Sequence, residues 1–242
     1  MTPQELYRVG KLREAITVLG EELRRNPLDP KRRTFLFELL LFAGEYDRAE
    51  KQLDVLAGAG GNAAVGSLLY RSALHAERTR LEMFEQSKIP SVTSHEQRDG
   101  ICNGLPFQEF LDTDPRIGPN LEVYIAGSYT WIPFFHLRKI EISPPANLRD
   151  LMWVTARIET SPEFRLQDLG EVFLPAISPR SSKHHEENVQ LGRETAWEED
   201  PVYGALPFGA KIMSVDGKDV PLLSIRSLEW PSVPKEHSHA TA

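Results

Sequence analysis

Apolar positions in the first third of the chain recur at the spacing of amphipathic helices. Thr2 is placed to cap a first helix, with Pro3 in its first turn and Glu5 completing a capping box. The next apolar face consists of Leu12, Ala15, Ile16, Leu19 and Leu23. This spacing predicts a helix that buries one side and ends before Pro27.

Three more helices are predicted in the same part of the chain. Asp29 is placed to cap the next helix, with Pro30 at its first position. Residues 35–42 (FLFELLLF) of this helix are apolar on nearly every side. Such a helix must be sandwiched between others. The following helix carries Tyr46, Ala49, Leu53 and Leu56 on one face. After the glycine-rich stretch 58–61, a last helix is predicted over about 63–84.

The helical part contains a repeat with a period of 34 residues. The matched pairs are Gly10 with Gly44, Leu12 with Tyr46, Ala15 with Ala49, and Leu19 with Leu53. This is the period of the tetratricopeptide helix pair. A plain helical bundle with a chance spacing is the alternative, and the four matches favour the repeat.

The rest of the chain alternates short runs of β-branched and aromatic residues with prolines. Predicted strands are 121–125, 129–135, 137–142, 152–158 and 171–177, and the Asp216-Gly217 turn predicts a hairpin within 211–230. Short helices are predicted at 108–112 and 147–151. The predicted fold class is α+β, with N-terminal tetratricopeptide-like helical repeats followed by a mainly antiparallel β-rich domain.

The change of pattern predicts four segments. They are a helical domain (1–88), a linker (89–100), a β-rich domain (101–231) and a disordered tail (232–242). Residues 1–88 carry 14 basic and 13 acidic side chains, whereas residues 89–242 carry 14 and 22. The acidic excess of the second part favours solubility or attraction of a basic partner.

Charge and cysteine content exclude several classes of protein. A net charge of −7 argues against a nucleic-acid binder. The single cysteine, Cys102, excludes a disulfide framework and a cysteine-rich zinc site. No apolar run approaches the roughly 20 residues of a membrane span, and no signal peptide is visible at the start. A cytoplasmic location is therefore expected.

Candidate catalytic groups are few. Cys102 could act as a nucleophile if His136 and Asp150 completed a triad, but nothing in their spacing supports this. Asp112 and Asp114, with Asp99 nearby, could do acid–base work or bind a divalent cation. The same DTDPR stretch has turn chemistry, and this structural interpretation is favoured.

Two histidine-containing segments are candidates for metal binding. One is the run His184-His185-Glu186-Glu187, and the other is the tail with His237 and His239. Adjacent residues in an exposed loop seldom converge on one ion, so no metal site is predicted.

Three segments combine tryptophan with neighbouring charges. They are 129–134, 148–153 and 190–197, and the last two place an arginine beside an acidic residue. Such groups can stack and pair as a cluster. A rigid domain core is favoured over a binding surface.

At these segments the sequence resembles the ImpE family, also called TagJ or SciE-type proteins, which are accessory to bacterial type VI secretion. Several separate blocks match in order along nearly the whole chain. The blocks are 44–49 (GEYDRA), 107–116 (FQEFLDTDPR), 118–123 (GPNLEV), 127–134 (GSYTWIPF), 149–153 (RDLMW), 174–176 (LPA) and 191–197 (LGRETAW).

The resemblance implies a non-enzymatic cytoplasmic adaptor without cofactor or metal. Members of the family are understood to bind a helix near the N-terminus of the small contractile-sheath subunit. They are thought to assist sheath assembly or recycling alongside an AAA+ ATPase, which this chain would serve indirectly. Neither nucleic acid nor a membrane is an expected partner.

Carried onto the tetratricopeptide register, the resemblance predicts a concave groove lined by the leading helix of each pair. The predicted lining residues are Lys31, Thr34, Glu38, Leu41, Val65, Leu68, Ser72 and His75. Leu41 and Leu68 are expected to be exposed in this groove.

Two alternatives remain open. A hydrolase or metal-dependent enzyme on the second domain predicts a deep pocket with ionisable groups of shifted pKa. A structural scaffold that dimerises through the β-rich domain predicts association that depends on concentration.

Overall fold

A computed structural model describes residues 1–58, 60–90, 98–162, 164 and 168–231. The predicted disordered tail and most of the predicted linker lie outside these residues. The helices of the first part are α1 (Pro3–Arg8), α2 (Leu12–Arg25), α3 (Pro30–Phe42), α4 (Tyr46–Ala57) and α5 (Gly61–Glu85). Consecutive helices pack on one another, as the repeat predicts.

The local signals in the sequence set the helix starts. The Thr2 side chain accepts a hydrogen bond from the Glu5 N–H, and the Glu5 carboxylate accepts one from the Thr2 N–H. Asp29 caps α3 by accepting from the Arg32 N–H. The apolar residues of α3 are buried from Leu36 to Phe42, so this helix is sandwiched as predicted.

The described residues of the second part form three antiparallel sheets. Its elements are β1 (Gly100–Cys102), β2 (Leu105–Phe107), β3 (Phe110–Asp112), β4 (Asn120–Ile125), β5 (Ser128–Pro133), β6 (Leu137–Ile142), β7 (Trp153–Thr160), β8 (Asp168–Pro175), the helix α6 (Glu187–Gln190), β9 (Thr195–Asp200), β10 (Gly204–Gly209), β11 (Ile212–Val215), β12 (Lys218–Pro221) and β13 (Ser227–Glu229). The eight-stranded sheet has the order β2-β1-β13-β6-β7-β8-β4-β5. The smaller sheets are β12-β11-β3 and the β9–β10 ribbon. The α+β prediction is confirmed.

Some local predictions are wrong. The helix predicted at 108–112 is the strand β3, because Phe110 and Asp112 are buried on one side and the segment pairs with β11. The predicted hairpin within 211–230 ends at Pro221, after which the chain crosses to the large sheet as β13. In both cases a distant strand decides the conformation.

The helices and the large sheet share one apolar core. The largest buried cluster contains residues from each of the helices α1 to α5. It also includes Tyr124, Met152, Trp153, Ile177 and Leu191 from the β-rich part. A second cluster lies within the β-rich part. Helix α5 packs on β4 and β5 and therefore connects the two parts. Among the described residues, no helix is long and apolar enough to cross a membrane.

Candidate partner-binding surface

The face of α3 and α5 that was predicted to form an open groove is partly covered by the chain itself. The 3-10 turn Leu148–Leu151 packs against α3. Its Arg149 donates a hydrogen bond to Glu38 at 3.1 Å, and its guanidinium lies 4.9 Å from the centre of the Tyr70 ring. Arg149 therefore bridges α3 and α5 across the predicted groove.

Further along α5, buried polar side chains join the helix to the sheet. The Glu77 carboxylate accepts hydrogen bonds from the Tyr124 hydroxyl and from the Trp153 indole, the latter at 3.0 Å. Arg80 donates to Glu122 at 2.7 and 3.0 Å, and to the carbonyl oxygen of Ile177 at 3.0 Å. All these polar groups are withdrawn from solvent, so no partner can reach them.

Glu122 stands at the centre of this buried network. Its second cation is Lys211, whose Nζ lies 2.6 Å from Glu122 and 2.5 Å from Asp112. Burial by itself raises the pKa of Glu122, but the charges of Arg80 and Lys211 outweigh it and hold that pKa at about 2. For Asp112 burial prevails and raises the pKa to about 6, although Lys211 opposes it.

The predicted groove residues therefore divide into two sets. Glu38 is buried in its ion pair with Arg149, and Leu41 is fully buried in the helical core. The expectation that Leu41 is exposed is wrong, because α3 is enclosed on that side as well. Ser72 is half-buried against Gly127 of the β4–β5 turn.

The other members of the predicted set reach solvent. Lys31 and His75 are exposed, and Thr34 is half-buried. Val65 and Leu68, near the start of α5, expose 70% and 67% of their surface. The eight residues thus do not line one continuous open groove.

What remains is an apolar patch on α5, here called the α5 surface and defined by Val65, Leu68 and Leu69. The spacing i, i+3, i+4 places the three side chains on one side of the helix. A cleft of about 300 Å³ adjoins it between α5 and the sheet. Its lining residues are Leu69, Tyr70, Ser72, Ala73, Tyr124, Ala126, Gly127, Thr155, Glu171, Val172 and Phe173.

Aromatic rings are among the residues that line this cleft. The Tyr70 and Phe173 rings are stacked with their centres 6.1 Å apart. Leu69 belongs to both the α5 surface and the cleft. Exposed aliphatic residues beside an aromatic cleft are typical of a surface that receives an apolar side chain of a partner.

The candidate catalytic triad is not assembled. Cys102 lies in β1 within the second core cluster, and burial raises the pKa of its thiol. Asp150 instead accepts hydrogen bonds from the backbone N–H groups of Ala146 and Asn147 and so closes a turn. No described contact brings these two side chains together with His136.

The Asp112–Asp114 stretch has the structural role that its turn chemistry predicts. Asp112 accepts from the Asp114 N–H at 2.9 Å. Asp114 accepts from the Arg116 N–H at 3.0 Å and from its guanidinium. Both carboxylates are therefore engaged within the turn or with Lys211.

Histidines of the 184–187 run come near a carboxylate without forming a good metal site. The ligand atoms of His184, His185 and Glu198 lie within 4.8 Å of one another. However, Nδ1 of His184 accepts a hydrogen bond from the Glu186 N–H at 3.1 Å. In the neutral ring Nε2 then carries the proton and faces Glu198, whereas a metal on Nε2 needs the proton on Nδ1. His237 and His239 lie outside the described residues.

Glu187 of this run and Arg193, which follows it, contact the helical repeats. Glu187 accepts hydrogen bonds from the N–H groups of Leu12 and Arg13 and so caps α2. Arg193 donates to backbone carbonyls of α1, and its guanidinium lies 4.5 Å from the centre of the Tyr7 ring. The arginines of the tryptophan-containing segments thus stack on tyrosines of the helices, which agrees with the favoured structural interpretation.

Sequence analysis missed the buried network and Leu69. Arg80 and Glu77 interrupt the apolar face of the last helix, and Glu122 interrupts the strand LEVYI. A charged residue at a position that the periodicity assigns to the core is the signal that could have found them.

Comparison with known proteins identifies the family. A profile described as "ImpE protein" matches residues 104–229, which is more than half of the chain. The protein belongs to the ImpE family. This chain is also 29% identical to a Pseudomonas aeruginosa protein named "Type VI secretion system accessory component TagJ". The alignment covers 95% of this chain and 91% of that protein.

The fold of this ImpE protein is also found in a solved structure. The crystal structure of VPA1032 from Vibrio parahaemolyticus superposes with a TM-score of 0.81 at 20% sequence identity. The match covers 96% of this chain and 98% of the other. It establishes that the helical part and the sheets occur together in the same fold in another protein.

Proposed function

We propose that this ImpE protein is a non-enzymatic accessory component of a bacterial type VI secretion system and acts in the cytoplasm. It binds a helix near the N-terminus of the small contractile-sheath subunit and assists sheath assembly or recycling. Membership of the ImpE family and the name of the Pseudomonas relative support the secretion role. The AAA+ ATPase that recycles the sheath is served only indirectly.

The observation that carries this proposal is the α5 surface with its adjoining cleft. An amphipathic helix laid along Val65 and Leu68 can place one apolar side chain over the stacked Tyr70 and Phe173 rings. Three exposed aliphatic residues and one cleft form less than a standard interface of roughly 1,600 Å², which is typical of transient binding.

We propose a smaller set of partner-binding residues than the sequence predicted, because two of the eight side chains are buried. Val65 and Leu68 remain as apolar anchors, with Ser72 and His75 following on the same helix. Lys31 and Thr34 lie on α3 and would extend the site only at its edge. Glu38 and Leu41 are assigned to folding instead, because their side chains are buried.

The test is titration of a peptide of the sheath-subunit helix against the full chain by isothermal calorimetry. Leu68→Asp should weaken binding at least about tenfold, since a charge at this spot meets an apolar partner face. Leu105→Asp is the matched control, because Leu105 on β2 is 71% exposed and lies outside the cleft. Both variants should keep the wild-type melting temperature.

Equal affinities for Leu68→Asp and wild type would contradict the placement of the helix on α5. A loss of binding in the Leu105→Asp variant as well would point to a nonspecific effect of the added charge. The enzymatic alternative predicts carboxyl groups of shifted pKa in a pocket, whereas Asp112 and Glu122 are buried in ion pairs and do not line the cleft beside α5.

A further inference from the structure

Strands β9 and β10 form a separate two-stranded antiparallel ribbon. Within the described structure neither strand is hydrogen-bonded to a strand of another sheet. Leu206 and Phe208 hold its inner face on Val189 of α6. At the tip, Asp200 accepts hydrogen bonds from the N–H groups of Val202 and Tyr203 at 2.9 and 3.0 Å. The inner face of the ribbon is therefore packed against α6.

The outer face and the tip of the ribbon each expose an aromatic side chain, Trp197 and Tyr203, to solvent. Ala196 packs inward, so strand alternation turns Trp197 and Glu199 outward. Trp197 is directly opposite Pro207 in the register and exposes 45% of its surface. Val202 at the tip exposes 76%, and Tyr203 is also exposed. Tryptophan and tyrosine are the residue types that most often dominate binding energy at interfaces.

The ribbon is also acidic. Between Thr195 and Gly209 the sequence has Glu198, Glu199 and Asp200 and contains no lysine, arginine or histidine. The Asp200 carboxylate is already hydrogen-bonded within the turn at the tip. The backbone N–H groups of Val202 and Tyr203 that it accepts from lower its pKa. The guanidinium groups of Arg116 and Arg180 also favour its charge.

The carboxylates of Glu198 and Glu199 differ in whether another described side chain already lies close to them. Glu198 lies on the inner side, 3.4 Å from Nε2 of His184. Glu199 makes no ion pair with any other described residue, and it shares the outer face with Trp197. An exposed carboxylate beside an exposed indole is suited to one cationic side chain, which can stack on the ring and pair with the acid.

We propose that the outer face of the β9–β10 ribbon is a docking surface for a basic segment of a partner protein. An arginine or lysine of the segment stacks on Trp197 and pairs with Glu199, while an apolar neighbour covers Val202. Charge complementarity selects this occupant. A second copy of the chain, with a net charge of −7, is disfavoured, and nucleic acid is excluded by its phosphates.

Fluorescence anisotropy with the full chain tests this proposal. The probes are a labelled synthetic peptide in which arginine alternates with valine and a matched peptide with glutamate in place of arginine. The arginine peptide should bind at least about tenfold more tightly than the glutamate peptide, and added salt should weaken it. Glu199→Lys and Trp197→Ala should each weaken its binding by about tenfold.

Two matched variants make the result specific. Glu21→Lys changes the net charge equally at an exposed site on α2, and it should leave the affinity unchanged. Leu68→Asp should also leave it unchanged, which separates this surface from the α5 surface. Equal binding of both peptides overturns the proposal, as does equal loss in Glu21→Lys and Glu199→Lys. Because Glu199 is exposed, its replacement tests binding even if Trp197→Ala lowers stability.

Discussion

Glu122 is the residue on which the junction between α5 and the large sheet most depends. It is fully buried on β4 and neutralises two buried cations, Arg80 from α5 and Lys211 from the segment before β11. Three chain segments distant in sequence thus meet at one carboxylate. A buried ion pair adds little net stability against an apolar alternative, yet removing one partner is costly because the other charge is left unpaired.

Glu122→Gln should therefore lower the free energy of unfolding by about 3–5 kcal/mol, measured by urea denaturation at neutral pH. Glu159→Gln, which breaks the surface pair of Glu159 with Arg138, is the control and should cost less than about 1 kcal/mol.

The pH dependence of this difference follows from the lowered pKa of Glu122. The group has a pKa of about 2 in the folded protein and 4.5 as its ordinary value. Its stabilising contribution is therefore complete above pH 4.5 and is lost as the pH falls from 4.5 towards 2. The gap between wild type and Glu122→Gln should narrow over that range. A gap that stays constant would contradict the role of the ionised carboxylate.

At the scale of elements, the two helix corners of the repeat are held by a segment of the β-rich part. Gly10 and Gly44 both have positive φ angles, of 83° and 69°. A methyl group on Gly44 would lie 2.7 Å from the Ser182 Oγ, and one on Gly10 would lie 2.4 Å from the Asn188 side chain. The two repeat glycines thus allow the left-handed backbone of each helix corner. They also leave room for Ser182 and Asn188 to pack closely against these corners.

Gly44→Ala should destabilise the protein by more than about 1 kcal/mol, because alanine is strained in the left-handed region and meets Ser182. Gly20→Ala is a contrasting variant in the interior of α2, where nothing lies within 4 Å of the added methyl group. It should stabilise by about 0.5–1 kcal/mol. Thermal denaturation should show a lower melting temperature than wild type for Gly44→Ala and a higher one for Gly20→Ala.

A Ser182→Gly background separates the two causes at Gly44. It removes the contact and leaves the backbone strain, so part of the loss should persist. Full recovery would assign the whole effect to the contact, and a stabilising Gly44→Ala would contradict the corner geometry.

At the scale of the whole molecule, the helical and β-rich parts share one apolar core, so we expect them to unfold as one unit. One apolar cluster includes residues of both, and α5 contributes Glu77 and Arg80 to the buried network with the sheet. Residues 1–88 alone would expose these groups, so the full chain is the proper form for binding experiments.

The full chain should therefore unfold in a single transition. Ellipticity at 222 nm reports mainly the helices, whereas all four tryptophans lie between residues 131 and 230 and report the β-rich part. Urea curves from the two signals should coincide in midpoint and slope. Separate midpoints would show that the two parts unfold independently.

The sequence by itself determined the features that depend on neighbouring residues. The capping box at Thr2, the period of 34, the enclosed α3 and the Asp216-Gly217 turn all follow from short-range patterns, and ordered sequence blocks indicated the ImpE family. The tetratricopeptide register predicted eight lining residues, and four of them, Lys31, Val65, Leu68 and His75, are exposed.

Only the tertiary structure decided which surfaces stay open. The strand β3, the burial of Leu41 and the pairing of Glu38 with Arg149 depend on partners between 101 and 111 residues away or on a neighbouring helix. Local propensity carries no information about such partners. The same packing covered much of the predicted groove and left the α5 surface and the outer face of the β9–β10 ribbon exposed to solvent.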